Sequence, residues 1–461
     1  MFDKDIYKDR RQKLKNAIGS GLVILLGNED SSMNYKDNLY PFRQDSTFLY
    51  FIGIDRPAII AVIDIDNDRE ILYGDDLTIE QMFWTGFREQ LEVLSDKTGI
   101  SEVKRKGDIE HTAKKALAEN RKIHFLPAYR TEHIEILSSL LEVLPGLVQN
   151  MFSTALIKAV VGLRSIKSRE EIEEITKAVN VTVDMQLAAM KMAQEGITEA
   201  QIAGKIHGLA ISAGGNLSFP TILTTRGQVL HNSYSQAILE PGDLVLCDCG
   251  AETAMHYAGD LTRTFPVNRS LSSIQKEIYD IVLETHQVAA ALLRPGILYR
   301  DIHLVACEKL TEGLQQLGIM KGDAREAVAV GAHALFFPCG LGHMMGLDTH
   351  DMENLGEAYV GYDDEIKQST QFGLKSLRLG RALEQGFVLT VEPGLYFIPE
   401  LIDQWAAEKK HNSFINYEKL TGYKSLGGVR VEEDFMVTSQ GSLLLGNPLP
   451  KTAQAIEAYR V

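Results

Sequence analysis

The sequence predicts an α/β domain over residues 1–165, followed by a larger α+β domain over 166–461 with an antiparallel sheet at its centre. Three observations carry this. Strand-like and helix-like apolar patterns alternate through the first third of the chain. A capping-box pattern, Ser168-Arg169-Glu170-Glu171, then opens a helix in which Ile172, Ile175 and Val179 recur at helical spacing. Beyond Gly214-Gly215 the sequence turns to short β-branched runs separated by glycines.

In order, residues 6–17 read as the first helix and 21–26 as the first strand. A second strand, 59–65, is turned by Asn67-Asp68 into 70–73, which is a hairpin signal. Residues 121–127 supply a further strand and 132–144 a further helix, which completes the smaller domain. In the larger one, Thr198 with Gln201 starts a second helix that Gly214-Gly215 stops.

With 461 residues, 45% of them hydrophobic, the chain is ample for two cored domains. A formal net charge of −15 and the lack of any long Lys/Arg run argue against a nucleic-acid partner. The charged start, Met1-Phe2-Asp3-Lys4-Asp5, leads into no apolar segment of secretory type. Apolar runs such as Leu22-Val23-Ile24-Leu25-Leu26 are far too short to span a bilayer. Four cysteines in so long a chain make no disulfide framework. The expectation is a cytoplasmic protein with neither membrane nor nucleic acid as partner.

Asp248 follows the apolar run Leu244-Val245-Leu246, and Asp260 lies twelve residues on, before Leu261. Carboxylates are expensive to bury. Successive strand side chains face opposite ways, so Asp248 projects away from Cys247 and Cys249. Gly250 and Gly259 suit bends that fold the two aspartates back beside each other. Facing carboxylates repel, and at neutral pH one protonates unless a cation sits between them. A divalent metal meets that cost. Further ligands are offered by His343 in the glycine-rich stretch 340–351, Glu392 at the end of Val388-Leu389-Thr390-Val391, and Glu432 after Val429-Arg430-Val431. Each acid alone reads as a salt-bridged or strand-end residue, a reading that weakens when it is needed four times. The four carboxylates suit two divalent ions, and an oxygen-rich set favours Mn²⁺, with Zn²⁺, Co²⁺ or Fe²⁺ as alternatives. Cys247 and Cys249 are badly spaced for chelation and read better as core thiols.

These stretches resemble the pita-bread metallopeptidases, in the branch of aminopeptidase P and prolidase, over nearly the whole chain. The resemblance is carried by Tyr40-Pro41-Phe42-Arg43-Gln44-Asp45-Ser46-Thr47-Phe48, by 259–266 and 340–351, by Thr390-Val391-Glu392-Pro393-Gly394, and by Gly428-Val429-Arg430-Val431-Glu432, all in the family's order. It implies an N-terminal domain of the creatinase/aminopeptidase P type and a pita-bread catalytic domain. It also implies that Asp248, Asp260, His343, Glu392 and Glu432 bind two metals, with His231 and His350 beside the substrate. Either histidine alone would read as an ordinary core or surface imidazole. Two departures stand out. The family spaces its two aspartates one residue closer, so the loop 252–257 carries an insertion. Its glycine-rich motif begins with a histidine where this chain has Cys339, and a thiol cannot match a histidine's proton affinity or reach.

The reaction so implied is hydrolysis of the bond preceding proline, a kinked tertiary amide with no N–H. Glu392 would move the proton from the attacking water to the leaving nitrogen, while His231 and His350 hydrogen-bond the oxyanion. Arg430 reads either as support for a ligand carboxylate or as a surface ion pair. Residues 374–381 resemble a prolidase segment in which the arginine matching Arg378 captures a dipeptide's free carboxylate, and this tilts the subtype slightly towards dipeptidase. The N-terminal signature is equally at home in aminopeptidase P. The alternative is a non-peptidase or weakly active homologue with a binding role, suggested by Cys339, although all five ligands are retained. A full N-terminal domain argues against a methionine-specific enzyme and, in this family, implies a homodimer or homotetramer.

Overall fold

The computed structural model describes residues 1–460. Packing divides the chain into one unit of Met1–Arg164 with Met352–Tyr359, and another of Ser165–Asp351 with Val360–Val461. A single cut at 165/166 misses the excursion Met352–Tyr359. No local pattern marks it, because its membership is set by contacts with chain far away in sequence.

The first unit is built on a mixed five-stranded sheet of order β4-β3-β2-β1-β5, formed by β1 (Leu22–Leu26), β2 (Ile60–Asp64), β3 (Arg69–Tyr73), β4 (Glu102–Lys104) and β5 (Ile123–His124). The β2–β3 hairpin forms where Asn67-Asp68 placed it, with Asp68 in the left-handed region at φ +49°. β5 is much shorter than the expected 121–127. It pairs only with Leu22 and Val23 of β1, and Pro127 lacks the N–H to extend the ladder. Alternate residues Leu22, Ile24, Ile60, Val62, Ile71 and Tyr73 share one buried cluster with Ile109, Ala113 and Ala116 from the helix Ile109–Ala118 and Leu140 from Thr131–Leu141. The Tyr40–Phe48 signature proves to be a local fastener. The Gln44 amide accepts from Asn28 N (2.6 Å) and Asp45 N (2.9 Å) and donates to Arg56 O (2.8 Å), while Asp45 caps the helix Ser46–Ile52 by accepting from Phe48 N.

In the second unit the capping box closes as its sequence requires. Ser168 Oγ accepts from Glu171 N at 3.3 Å and the Glu171 carboxylate from Ser168 N at 3.0 Å, opening the helix Arg169–Met192. The Thr198 box does the same for Glu199–Ser212. Two further long helices, Ser273–Leu292 and Tyr299–Gln316, were not anticipated. Strand pairing here is antiparallel throughout, but it is divided among short ladders: β7 (Ile222–Thr224), β8 (Leu244–Cys249) and β10 (Leu261–Pro266); β11 (Val388–Val391), β14 (Glu433–Val437) and β15 (Ser442–Leu444); β12 (Gly394–Tyr396) with β13 (Gly428–Arg430); and β6 (Asn216–Leu217) with β9 (Ala251–Glu252). The expectation for Gly250 and Gly259 needs correction. They are not the bends of the aspartate hairpin but places of close approach: a Cβ on Gly250 would lie 2.0 Å from Gly259 O, and one on Gly259 2.8 Å from Val179 N in the long helix. The reversal falls at 253–257, where His256 N donates to Thr253 O (2.8 Å), Thr253 N to Tyr257 O (3.0 Å), and His256 adopts φ +67°. Among the described residues, no helix is long and apolar enough to cross a membrane.

Candidate metal centre

The β8–β10 register sets Asp248 opposite Thr262, and Ile222 of β7 flanks it on the other side. Alternation then does its work. Cys247 and Cys249 turn the other way into the core, where Gln186 Nε2 donates to Cys247 O (3.0 Å) and lies 3.4 Å from Cys249 Sγ; all four cysteines are free. Glu432, just past β13, is fastened to β10 twice: its N donates to Thr262 O at 3.1 Å and its carboxylate accepts from Thr262 Oγ1 at 2.5 Å. His343 comes from the glycine-rich loop, which is held to β11 by His343 N donating to Thr390 Oγ1 at 3.2 Å. That loop lies so close to β11 that a Cβ on Gly342 would meet Thr390 O at 2.2 Å and Tyr299 OH at 2.4 Å. Here glycine is obligatory.

His343 Nδ1 lies 3.1 Å from Met344 O, which assigns the proton to Nδ1 and leaves Nε2, on the side of the acids, with a lone pair free to ligate a cation. Nε2 stands 3.5 Å from Asp260 Oδ2 and 3.6 Å from Glu392 Oε1. Ligand atoms of Asp260, His343 and Glu432 all fall within 4.8 Å of one another, and all three residues are buried. Asp248 and Glu392 join them electrostatically. Burial pushes the Asp260 and Glu432 carboxyls well above the usual range, and Asp248 and Glu392 push both higher still. Glu392 is itself raised by burial, a shift offset in part by His343, Arg430 and Arg378. Oδ1 of Asp248 and Oδ1 of Asp260 are buried without a hydrogen-bond partner. Acids that repel one another, carry bare oxygens and face an unprotonated imidazole nitrogen are a donor set that fits divalent cations.

The other expected site residues fall at different distances from this centre. Arg430 is buried rather than in a surface ion pair. It donates to Asp248 Oδ2, to Tyr396 OH at 2.9 Å and, through Nε, to Thr262 Oγ1 at 3.2 Å. The half-buried His350 packs its ring against His343 with 4.2 Å between centroids. Arg378 is half-buried, and its charge reaches both Glu392 and His343. Cys339 is also half-buried; desolvation first, and the Glu392 charge second, push its thiol up to about 12. His231 lies exposed on a turn after β7, with no hydrogen bond to any of the acids. Three participants were missed: Thr262, Tyr396 and Asp434, whose Oδ2 accepts from Asp260 N at 3.0 Å. A period of two from Asp260 to Thr262 and from Glu432 to Asp434 was the available signal.

A chain of two units, in the second of which distant acids meet one imidazole in a buried cluster, defines the class: a metallopeptidase. The family model described as metallopeptidase family M24 matches residues 173–439, and that of the aminopeptidase P N-terminal domain matches 7–124. The Xaa-Pro dipeptidase of Homo sapiens is 30% identical over 460 residues, which is 98% of this chain and 90% of that protein. The Xaa-Pro aminopeptidase of Escherichia coli K12 is 31% identical over 468 residues, 99% and 97%. Among solved structures, E. coli aminopeptidase P with the inhibitor Pro-Leu superposes with a TM-score of 0.81 at 29% identity, covering 100% of this chain and 98% of that one. Proline aminopeptidase P II from Yersinia pestis gives 0.82 at 28%, covering 100% and 99%. The chain belongs to metallopeptidase family M24 and carries an aminopeptidase P N-terminal domain.

Proposed function

We propose that this protein is an exopeptidase that uses divalent metal to hydrolyse the Xaa-Pro bond, at the N-terminus of peptides or in dipeptides. The observation that carries the reading is the buried convergence of Asp260, His343 and Glu432 with Asp248 and Glu392 around them. These five residues would hold two cations, and Mn²⁺ is favoured because four of the five donors are carboxylates. When bound, such cations supply Lewis-acid polarisation of the scissile carbonyl and a water acidified to near neutral pH. Glu392, the more exposed of the two acids nearest His343, would take the water's proton and return it to the proline nitrogen. His350, against His343, donates to the developing oxyanion, and the exposed His231 is the second candidate donor. Arg430 fixes the Asp248 carboxylate so that its second oxygen is free for metal.

Arg378 tilts the subtype slightly towards dipeptides, since its guanidinium lies near the reacting groups and suits bidentate capture of a carboxylate. A purely binding role is not favoured: the ligand set is complete, and the compared relatives are named as peptidases. We place the protein in the cytoplasm, a reading supported by its four free thiols, and as a homodimer or homotetramer, supported by the exposed Ile79, Phe83, Trp84 and Phe87 of the first unit. The deciding experiment is elemental analysis together with assays on Gly-Pro and Arg-Pro-Pro, with and without Mn²⁺. Cleavage of Gly-Pro alone indicates a dipeptidase, and cleavage of Arg-Pro-Pro an aminopeptidase. Failure to cut either peptide with metal bound would remove the reading.

A further inference from the structure

Lys167 precedes the capping-box serine, and its side chain runs inward. Its Nζ lies 2.9 Å from Asp351 Oδ2, with both side chains 1% exposed. Neither residue belongs to the acid cluster, but Asp351 is the chain neighbour of His350. It is tied on three sides: its N donates to Met344 O (2.9 Å), Oδ1 accepts from Asp348 N (3.4 Å), and Oδ2 takes Lys167. Gly346 closes the ring. Its N donates to Asp348 O (3.0 Å), and its O accepts from Ala258 N (2.8 Å) in the hairpin that carries Asp248 and Asp260. A Cβ at 346 would stand 2.7 Å from Asp351 Oδ2 and 3.0 Å from Lys167 Cε, so the pair closes only around glycine. Lys167 is anchored in turn by its own N donating to Gly386 O (2.9 Å).

Burying two opposite charges costs their hydration, and replacing such a pair by apolar residues is often neutral for stability. This pair is better explained by what it specifies, which is one conformation of the loop from His343 to His350. We infer that the Lys167–Asp351 ion pair is a positioning device for His350. It keeps the His350 ring against His343, at the 4.2 Å centroid separation, where the ring can meet the substrate. The inference rests on the Xaa-Pro peptidase reading for the nature of that substrate.

The test is the full chain loaded with Mn²⁺, as wild type and as the apolar pair Lys167→Met with Asp351→Leu. The double variant is expected to fold and bind metal as wild type does, to lose kcat on an Xaa-Pro peptide by about 10- to 100-fold with KM within about threefold, and to lose no more than about twofold further when His350→Ala is added. Crystals of the variant should show the His350 ring displaced from His343. If the apolar pair does not fold, Lys167→Met with Asp351→Asn keeps the acceptor for Asp348 N, removes the ion pair and carries the same readouts. An unmoved ring, a kcat within twofold of wild type, or an undiminished cost of His350→Ala in the variant would overturn the inference. If metal-loaded wild type cut no Xaa-Pro peptide, the peptidase reading would fall, and the ring position alone would then decide the positioning claim.

Discussion

Cys339 stands where the family resemblance implies a histidine, and its surroundings decide what a thiol means there. With the thiol pushed up to about 12 by burial and the Glu392 charge, it is neutral at any working pH and neither gives nor takes a proton. Cys339→Ala is therefore expected to change kcat by less than about threefold, whereas Cys339→His should raise it; steady-state kinetics on Arg-Pro-Pro checks both. Arg430 is the opposite case. Sequence left it open between a surface ion pair and a carboxylate support, and its burial against Asp248, Tyr396 and Thr262 resolves its contacts. Truncating it would leave a buried carboxylate unpaired, a change that costs about 3–5 kcal/mol in comparable sites. Arg430→Met should lower the thermal midpoint and weaken metal binding together, as calorimetry would show.

At the scale of elements, the centre is a matter of backbone proximity. The glycine-rich loop must run hard against β11 for His343 to reach Asp260 and Glu392, and Gly342 is the tightest point. Gly342→Ala should force the loop away from Thr390 and Tyr299, costing about 1–3 kcal/mol in denaturant unfolding and reducing metal affinity in the same variant. The aspartate hairpin is governed by the same constraint. Its two glycines were legible as necessary, but for the wrong reason, because a single sequence cannot distinguish a glycine that turns from one that lets another strand approach. Capping boxes, by contrast, were legible in full at Ser168 and Thr198, since every atom involved lies within four residues.

For the whole molecule, stability is linked to both metal and protons. Chelation should lower the thermal midpoint of the loaded protein by about 5–10 °C if metal is held at a hundredfold above its dissociation constant; calorimetry before and after a chelator measures it. Acid adds a separate effect away from the metal centre. Burial holds His303 near 3 and His333 near 4, against an ordinary value of 6.5, so both are neutral when folded. Between pH 6.5 and 4 the unfolded chain therefore binds protons that the folded one does not, and stability present above pH 6.5 is lost as pH falls. Each histidine contributes a slope approaching about 1.4 kcal/mol per pH unit. Unfolding midpoints in urea at pH 7.5 and 5.0 would test this, and a flat profile would refute it.

The sequence by itself determined the two-domain order, the hairpin at Asn67-Asp68, the capped helices and the acids to be explained, because those signals lie in periodicity and in neighbours a few residues apart. Only the tertiary structure decided that Asp260, His343 and Glu432 meet, that Thr262 and Asp434 stand with them, and that Met352–Tyr359 packs with the first unit. Those facts depend on contacts between segments far apart in the chain, and such contacts are fixed by packing and register rather than by any local pattern.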